Sequence, residues 1–356
     1  MHFVKLEKMV GAQRLARPIF SKRGEVQFKP GENITPAIVS ALQAMSLTGA
    51  YVLEPAESVP VISDDTIELE KFIVSNTYAL MKELMEAVKT HRLRRFEYIV
   101  DDIIERFSGS FKTIEFPQTV RSMESFVYMH SVNVAIIAAA IAAKLGFSAD
   151  EKRECVKASL IHDIGKTLIP KNLLDGESEE ELVRILTNCQ DTGFELIDDL
   201  FPDEPKIKGV CVQSLNILQH LRFNQPQDPE HIYKSTEVYL VAEVFEDMSA
   251  MSIGGNAKKD TAVSAIKYMS DHPEVFNKKA VKALCEAFSI ITTGMSVVLS
   301  NGNKALVMTE NSSNILCPMV LEFSTNKMID LNLEDKENGI KIVNAVTNTD
   351  ERLSVK

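Results

Sequence analysis

Apolar residues recur at helical spacing through the middle of the chain, and short apolar runs broken by turn residues occupy its two ends. From about Asp65 to Phe107, Leu69, Phe72, Ile73, Leu80, Leu84 and Val88 mark one face of a helix. Such a stripe reads as core, with a dimer seam or a signal-transmitting helix as the alternatives. A second stripe follows His130, through Val132, Ile136, Ala140, Ile141 and Leu145, and Gly146 stops it. Ser148-Ala-Asp-Glu151 has the form of a capping box, opening a helix that carries Leu160, Ile161, His162 and Asp163 before Gly165 breaks it. Ser178-Glu-Glu-Glu181 is a second such box, followed by Leu182, Ile185 and Leu186. Helical runs cover about 205–222 and 233–251, and Asp260-Thr261 and Asn277 cap two more helices that end near Ile291.

The ends follow other rules. Turn chemistry at Ser21-Lys-Arg-Gly24, Pro30-Gly31 and Ser46-Leu-Thr-Gly49 predicts a small β-containing module with one helix near Pro36–Met45. Pro55 to Asp64 reads as a linker. Near the other end, the alternation from Val297 to Val307 around Asn301-Gly302 is a hairpin, and Cys317–Phe323 and Met328–Leu333 supply further strands. The predicted fold is mainly α, a helical bundle flanked by small β-containing modules.

Two consecutive helices with a short link should lie antiparallel, which returns His162 and Asp163 to the side of His130. Two imidazoles and a carboxylate in an apolar helix pair form a natural first shell for a divalent transition metal. The alternative is a set of hydrogen-bonded core polar groups without a metal.

Composition narrows the function classes. No apolar run approaches the length of a membrane span, and the opening MHFVKLEKMV lacks the apolar core of a signal peptide. Five cysteines without a CxxC pair argue for a reducing cytoplasm and against a disulfide framework or structural zinc. A net charge of −11 argues against binding a nucleic-acid polymer, while leaving room for a local site for a small phosphate ligand.

His130 followed by the His162-Asp163 doublet, with Gly165 and Lys166 just after it, resembles the HD superfamily of metal-dependent phosphohydrolases. The run Ile169-Pro-Lys-Asn-Leu-Leu174 is similar to its HD-GYP branch, whose members hydrolyse cyclic di-GMP. The resemblance implies residues 1–55 as an N-terminal module, 56–110 as linker and long helix, 111–291 as the HD-GYP-like domain and 292–356 as a β extension. It implies His130, His162 and Asp163 as metal ligands and Lys166 as the residue that meets phosphate. It adds Glu243 in Val241-Ala-Glu243-Val-Phe-Glu246-Asp247, where the family has aspartate. Asp163 and Lys166 would be the catalytic pair, and iron or manganese the metal.

Members of that branch hold two or three metals, and the second-metal residues are largely missing here. A family histidine falls on Cys189, and of a His-His-Glu run only His220 remains, between Gln219 and Leu221. The Gly-Tyr-Pro triplet reads Gln227-Asp228-Pro229, and the phosphate-holding Arg and Lys fall on Ser252 and Gly255. Serine cannot supply the bidentate contact of an arginine. Lys258 and Lys259 could replace the lost cations, though they read first as a solvated loop. Cys189 thiolate could ligate, but one Cys and His220 make a thin second site, so at most one metal per chain is expected. Three readings stand. The first is a regulatory or binding module that has lost efficient cyclic di-GMP hydrolysis and acts through a cyclic dinucleotide, a protein partner or a homodimer. The second is a phosphohydrolase with a single metal, and the third a purely structural polar cluster.

Overall fold

The chain begins with β1 (His2–Lys5), β2 (Arg14–Leu15), β3 (Ile19–Phe20), β4 (Val26–Phe28), α1 (Pro36–Ala44) and β5 (Gly49–Leu53). Strands β1 and β2 flank β5 in an antiparallel sheet, and β3 and β4 form a separate hairpin. The Thr35 hydroxyl accepts from the Ile38 amide and Pro36 opens α1, so this helix starts as the sequence predicts. The computed structural model describes residues 2–11, 13–53, 57–59, 62–109, 122, 124–169, 179–223, 232–250, 261–288, 290–311, 314–333 and 339–346. The Ser178 capping box, the Gln227-Asp228-Pro229 triplet and the positions of Ser252, Gly255, Lys258 and Lys259 lie outside the described residues.

The helical stretch predicted from Asp65 to Phe107 is two helices, α2 (Asp64–Thr90) and α3 (Phe96–Phe107). His91 ends α2 in the left-handed conformation at φ 51°, and the Glu83 carboxylate accepts the Arg94 and Arg95 amides at the start of α3. The stripe on α2 is core: Leu69, Ile73, Leu80 and Leu84 are buried, and Phe72 and Val88 pack partly buried beside them.

Helix α4 (Phe126–Lys144) runs through the centre of the bundle, with every residue from Tyr128 to Ala142 buried. It packs against α2, α3, α5 (Ala149–Ile161), α8 (Lys234–Ser249) and α10 (Lys278–Ala287). A helix that is apolar all round has to be enclosed. This corrects the expectation that no apolar run reaches membrane-span length. By length and composition α4 could cross a bilayer, but 83% of its apolar window is buried inside the protein.

Gly146, at φ 70°, turns the chain from α4 into α5, and both halves of the predicted Ser148–Glu151 capping box form. After α5 comes a short 3₁₀ segment (Ile164–Leu168), then α6 (Glu179–Leu200), α7 (Pro205–Arg222), α8, α9 (Ala262–Asp271) and α10. Helix α10 stops at Ala287 rather than near Ile291, because Phe288 turns extended and buries its ring against Phe245. The C-terminal sheet holds β6 (Ser296–Leu299), β7 (Lys304–Thr309), β8 (Met319–Glu322), β9 (Lys327–Asp330) and β10 (Ile342–Val346). Its order is β10-β6-β7-β8-β9, all neighbours antiparallel. Strand β10 was not anticipated.

One close crossing sets the approach of α6 to the doublet. A Cβ on Gly165 would lie 2.2 Å from the Cys189 carbonyl oxygen, and one on Gly193 would lie 2.8 Å from the Gly165 Cα. The two backbones therefore touch where side chains cannot fit. Gly165→Ala is expected to destabilise the protein by about 1–3 kcal/mol, as overpacking does. A chemical denaturation curve that coincides with wild type would show that the crossing yields freely.

Candidate metal centre

Three elements build the cluster. Helix α4 supplies His130, the end of α5 supplies His162 and Asp163, and α8 supplies Glu243. The α4–α5 hairpin is antiparallel as predicted, and the two imidazole centroids stand 5.2 Å apart. Ligand-competent atoms of His130, His162 and Asp163 all lie within 4.8 Å of one another. Glu243 closes the far side, its Oε2 lying 3.2 Å from His130 Nε2 and 3.6 Å from His162 Nε2.

Hydrogen bonds on the outer side of each ring decide which nitrogen faces inward. His130 Nδ1–H donates to Glu246 Oε2 at 2.6 Å, and His162 Nδ1–H donates to the Ser159 carbonyl at 2.8 Å. Both Nε2 atoms are thereby turned toward the cluster with a lone pair available, the arrangement metal-binding histidines adopt. Asn133, one turn beyond His130, donates to the other oxygen of Glu246 at 3.0 Å. At the centre, His162 Nε2 and Glu243 Oε2 are buried without a hydrogen-bond partner. Two orphaned buried polar atoms facing each other fit a cation beside them, since unpartnered buried groups are otherwise costly. Two nitrogens and two carboxylates also match the donor preferences of a divalent transition metal.

The charge balance says the same. Burial raises the Asp163 pKa, but His162, Lys166 and His130 outweigh it and hold the carboxyl well below the usual range. Burial likewise opposes ionisation of Glu243, and the charges of His130 and His162 bring it down. Burial lowers the His130 pKa, yet Glu243 and Glu246 together raise it well above the ordinary imidazole value. Without a metal, the cluster thus recruits a proton to its centre, a position where a cation would serve the same carboxylates.

Lys166 sits at the mouth. Its Nζ lies 2.7 Å from Asp163 Oδ2, while half of its side chain is exposed. The structure does not bring His220 into this group. Its Nδ1 is 2.6 Å from the Asn216 carbonyl of its own helix, α7. Cys189 is half-buried, with its carbonyl against Gly165, and among the described residues it does not join the metal-competent group. Sequence reasoning missed Glu246, Asn133 and Tyr239 as parts of the site. A signal was present for all three, since Asn133 and Glu246 stand three residues after a predicted ligand and Tyr239 four before one.

Residues 127–234 match the family model of the HD domain. The chain carries an HD domain. The matched stretch of the HD domain takes in His130, His162 and Asp163, and ends before Glu243. A cyclic di-GMP phosphodiesterase of Pseudomonas aeruginosa is 23% identical over 231 residues, 62% of this chain and 55% of that protein. The chain therefore spans about half the length of this curated relative. No solved structure matches the chain.

Proposed function

We propose that this is an HD-GYP-like protein of cyclic di-GMP signalling that holds one divalent metal, iron or manganese. In this reading it serves as a regulatory or ligand-binding module with little or no phosphodiesterase activity. The observation that carries the reading is the make-up of the cluster. His130, His162 and Asp163 close on one point opposite Glu243, and among the described residues His220 does not join them. Similarity to a cyclic di-GMP phosphodiesterase supports the choice of ligand. A metal held there would supply Lewis-acid polarisation of a phosphoryl oxygen. The chain's own groups do the rest: two Nε2 atoms and two carboxylates fix the cation, and Lys166 at the mouth meets an anionic phosphate. A protein partner or a second copy of the chain would receive the signal.

A second reading, an active phosphohydrolase working with a single metal, draws on the half-exposed side chain of Lys166, whose Nζ lies beside Asp163. The acidic net charge supports neither reading as a binder of nucleic-acid polymers, and the burial of α4 favours a protein that makes no membrane contact through it. Five free cysteines support a cytoplasmic setting.

Metal stoichiometry separates a single centre from a double one. Protein purified without chelator should contain at most one equivalent of transition metal per chain by elemental analysis. Two or more equivalents would overturn the proposal of a lone site.

A further inference from the structure

Two carboxylates flank the His130 ring, one at each nitrogen. Nδ1–H donates to Glu246 Oε2 at 2.6 Å, and Nε2 lies 3.2 Å from Glu243 Oε2. A neutral imidazole has one proton, and the nitrogen that carries it cannot ligate a cation. A proton on Nε2 would point at Glu243 and take the ring out of the centre. The choice between the two nitrogens therefore decides whether His130 can serve as a ligand. Glu246 is 1% exposed, and a carboxylate so deep in an apolar bundle persists only with partners that answer its charge.

Asn133 holds the same carboxylate from its other oxygen, Nδ2 donating to Glu246 Oε1 at 3.0 Å. His130 and Asn133 stand three residues apart on α4, and Glu243 and Glu246 three apart on α8. Each helix thus carries a ligand and its support on one face. The Asn133 amide takes this orientation although its own Oδ1 is left buried without a hydrogen-bond partner. An orphaned acceptor is unfavourable, so the N–H on Glu246 is kept against a local penalty. We propose that Glu246 is a positioning residue of the metal centre and that Asn133 locks it in place. The carboxylate keeps the His130 proton on Nδ1, which leaves Nε2 free to ligate, and its charge strengthens that nitrogen as a donor. A core hydrogen-bond network would need only an acceptor at this position, whereas support of a metal ligand uses an acceptor that carries charge. The inference rests on the metal-centre reading.

The test uses full-length protein stripped of metal and titrated with Co²⁺, following the visible absorption of the bound ion. Glu246→Gln keeps a carbonyl that can accept from His130 Nδ1–H, and a turned Asn133 amide can accept the new N–H through Oδ1. Only the charge is lost. Co²⁺ binding should weaken by about tenfold or more, as on loss of an outer-shell partner, with the helical circular dichroism retained. Glu246→Leu removes the acceptor as well. It should weaken binding further and shift the absorption bands, because nothing then fixes the His130 tautomer. Asn133→Ala should weaken binding in the wild-type background but not in the Glu246→Leu background, where no carboxylate is left to hold. An affinity within twofold of wild type for Glu246→Gln would overturn the inference, since a neutral acceptor would then suffice. So would a loss from Asn133→Ala that is as large with Glu246→Leu as without it. Should neither Glu246 variant fold, Asn133→Ala decides alone, and wild-type affinity and bands for it overturn the inference. Failure of wild type to take up Co²⁺ has a different meaning, since it overturns the metal centre itself.

Discussion

Metal-loaded protein incubated with cyclic di-GMP under reducing conditions should turn it over on the order of 10⁴-fold or more slowly than a site with two metals and an arginine clamp. In the HD-GYP-like reading proposed above, two transition-state contacts are missing together. In that reading a second metal would need ligands beyond His220 and Cys189, and the resemblance puts Ser252 where a phosphate-holding arginine would stand. Among the described residues His220 does not join the group of His130, His162 and Asp163. Electrostatic contacts made in the transition state are worth roughly 3–4 kcal/mol each, and losing two multiplies to the rate factor above. Binding of the nucleotide can survive, because Lys166 stands exposed at the mouth and needs no second metal. Chromatography of the linear product and of GMP measures the rate. Turnover at about one per second or faster, abolished by Asp163→Ala, would establish the active enzyme instead.

Asp163→Ala should release the metal and lower the stability of the folded protein by about 3 kcal/mol or more. Asp163 is buried at 7% exposure, accepts from Lys166 at 2.7 Å and lies 3.4 Å from His162 Nε2. Its removal leaves a half-buried ammonium and two buried imidazoles facing Glu243 alone. Breaking one member of a buried charged group costs more than the group's net contribution, because the partners remain in place without their counter-charge. Thermal melts with and without chelator measure the effect. In wild type, chelation should lower the melting temperature through loss of the bound ion, and in the variant it should change nothing. Coincident melts for all four samples would mean that the cluster neither holds a metal nor contributes to stability.

Much of this was legible in the sequence. Helical periods, capping residues and the Asn301-Gly302 turn located most elements, because each is a local signal read over a few residues. The doublet's return to His130 was legible for the same reason: a short link between two helices leaves only one arrangement. What failed to show was decided elsewhere. The break at His91 depends on Glu83 reaching two amides 11 and 12 residues away. The early end of α10 depends on Phe245, and β10 is a strand only because β6 offers it an edge. Glu246 looked like one acid among several until the fold set it against His130, 116 residues distant in sequence. Helical spacing could put Glu246 on the face of Glu243, but could not name His130 as its partner.

The enclosure of α4 has a consequence for how the protein is made. During synthesis this helix leaves the ribosome well before α8 and α10, which cover it. Until about a hundred further residues have followed, the sides that α8 and α10 will cover stay open, and α2, α3 and α5 can shield only the others. The nascent chain therefore passes through a stage in which its most water-averse segment must be sheltered by a chaperone or risk self-association. The same delay means that the His130–Glu243 pair closes only when the bundle does, so metal uptake would mark the completion of folding rather than begin it.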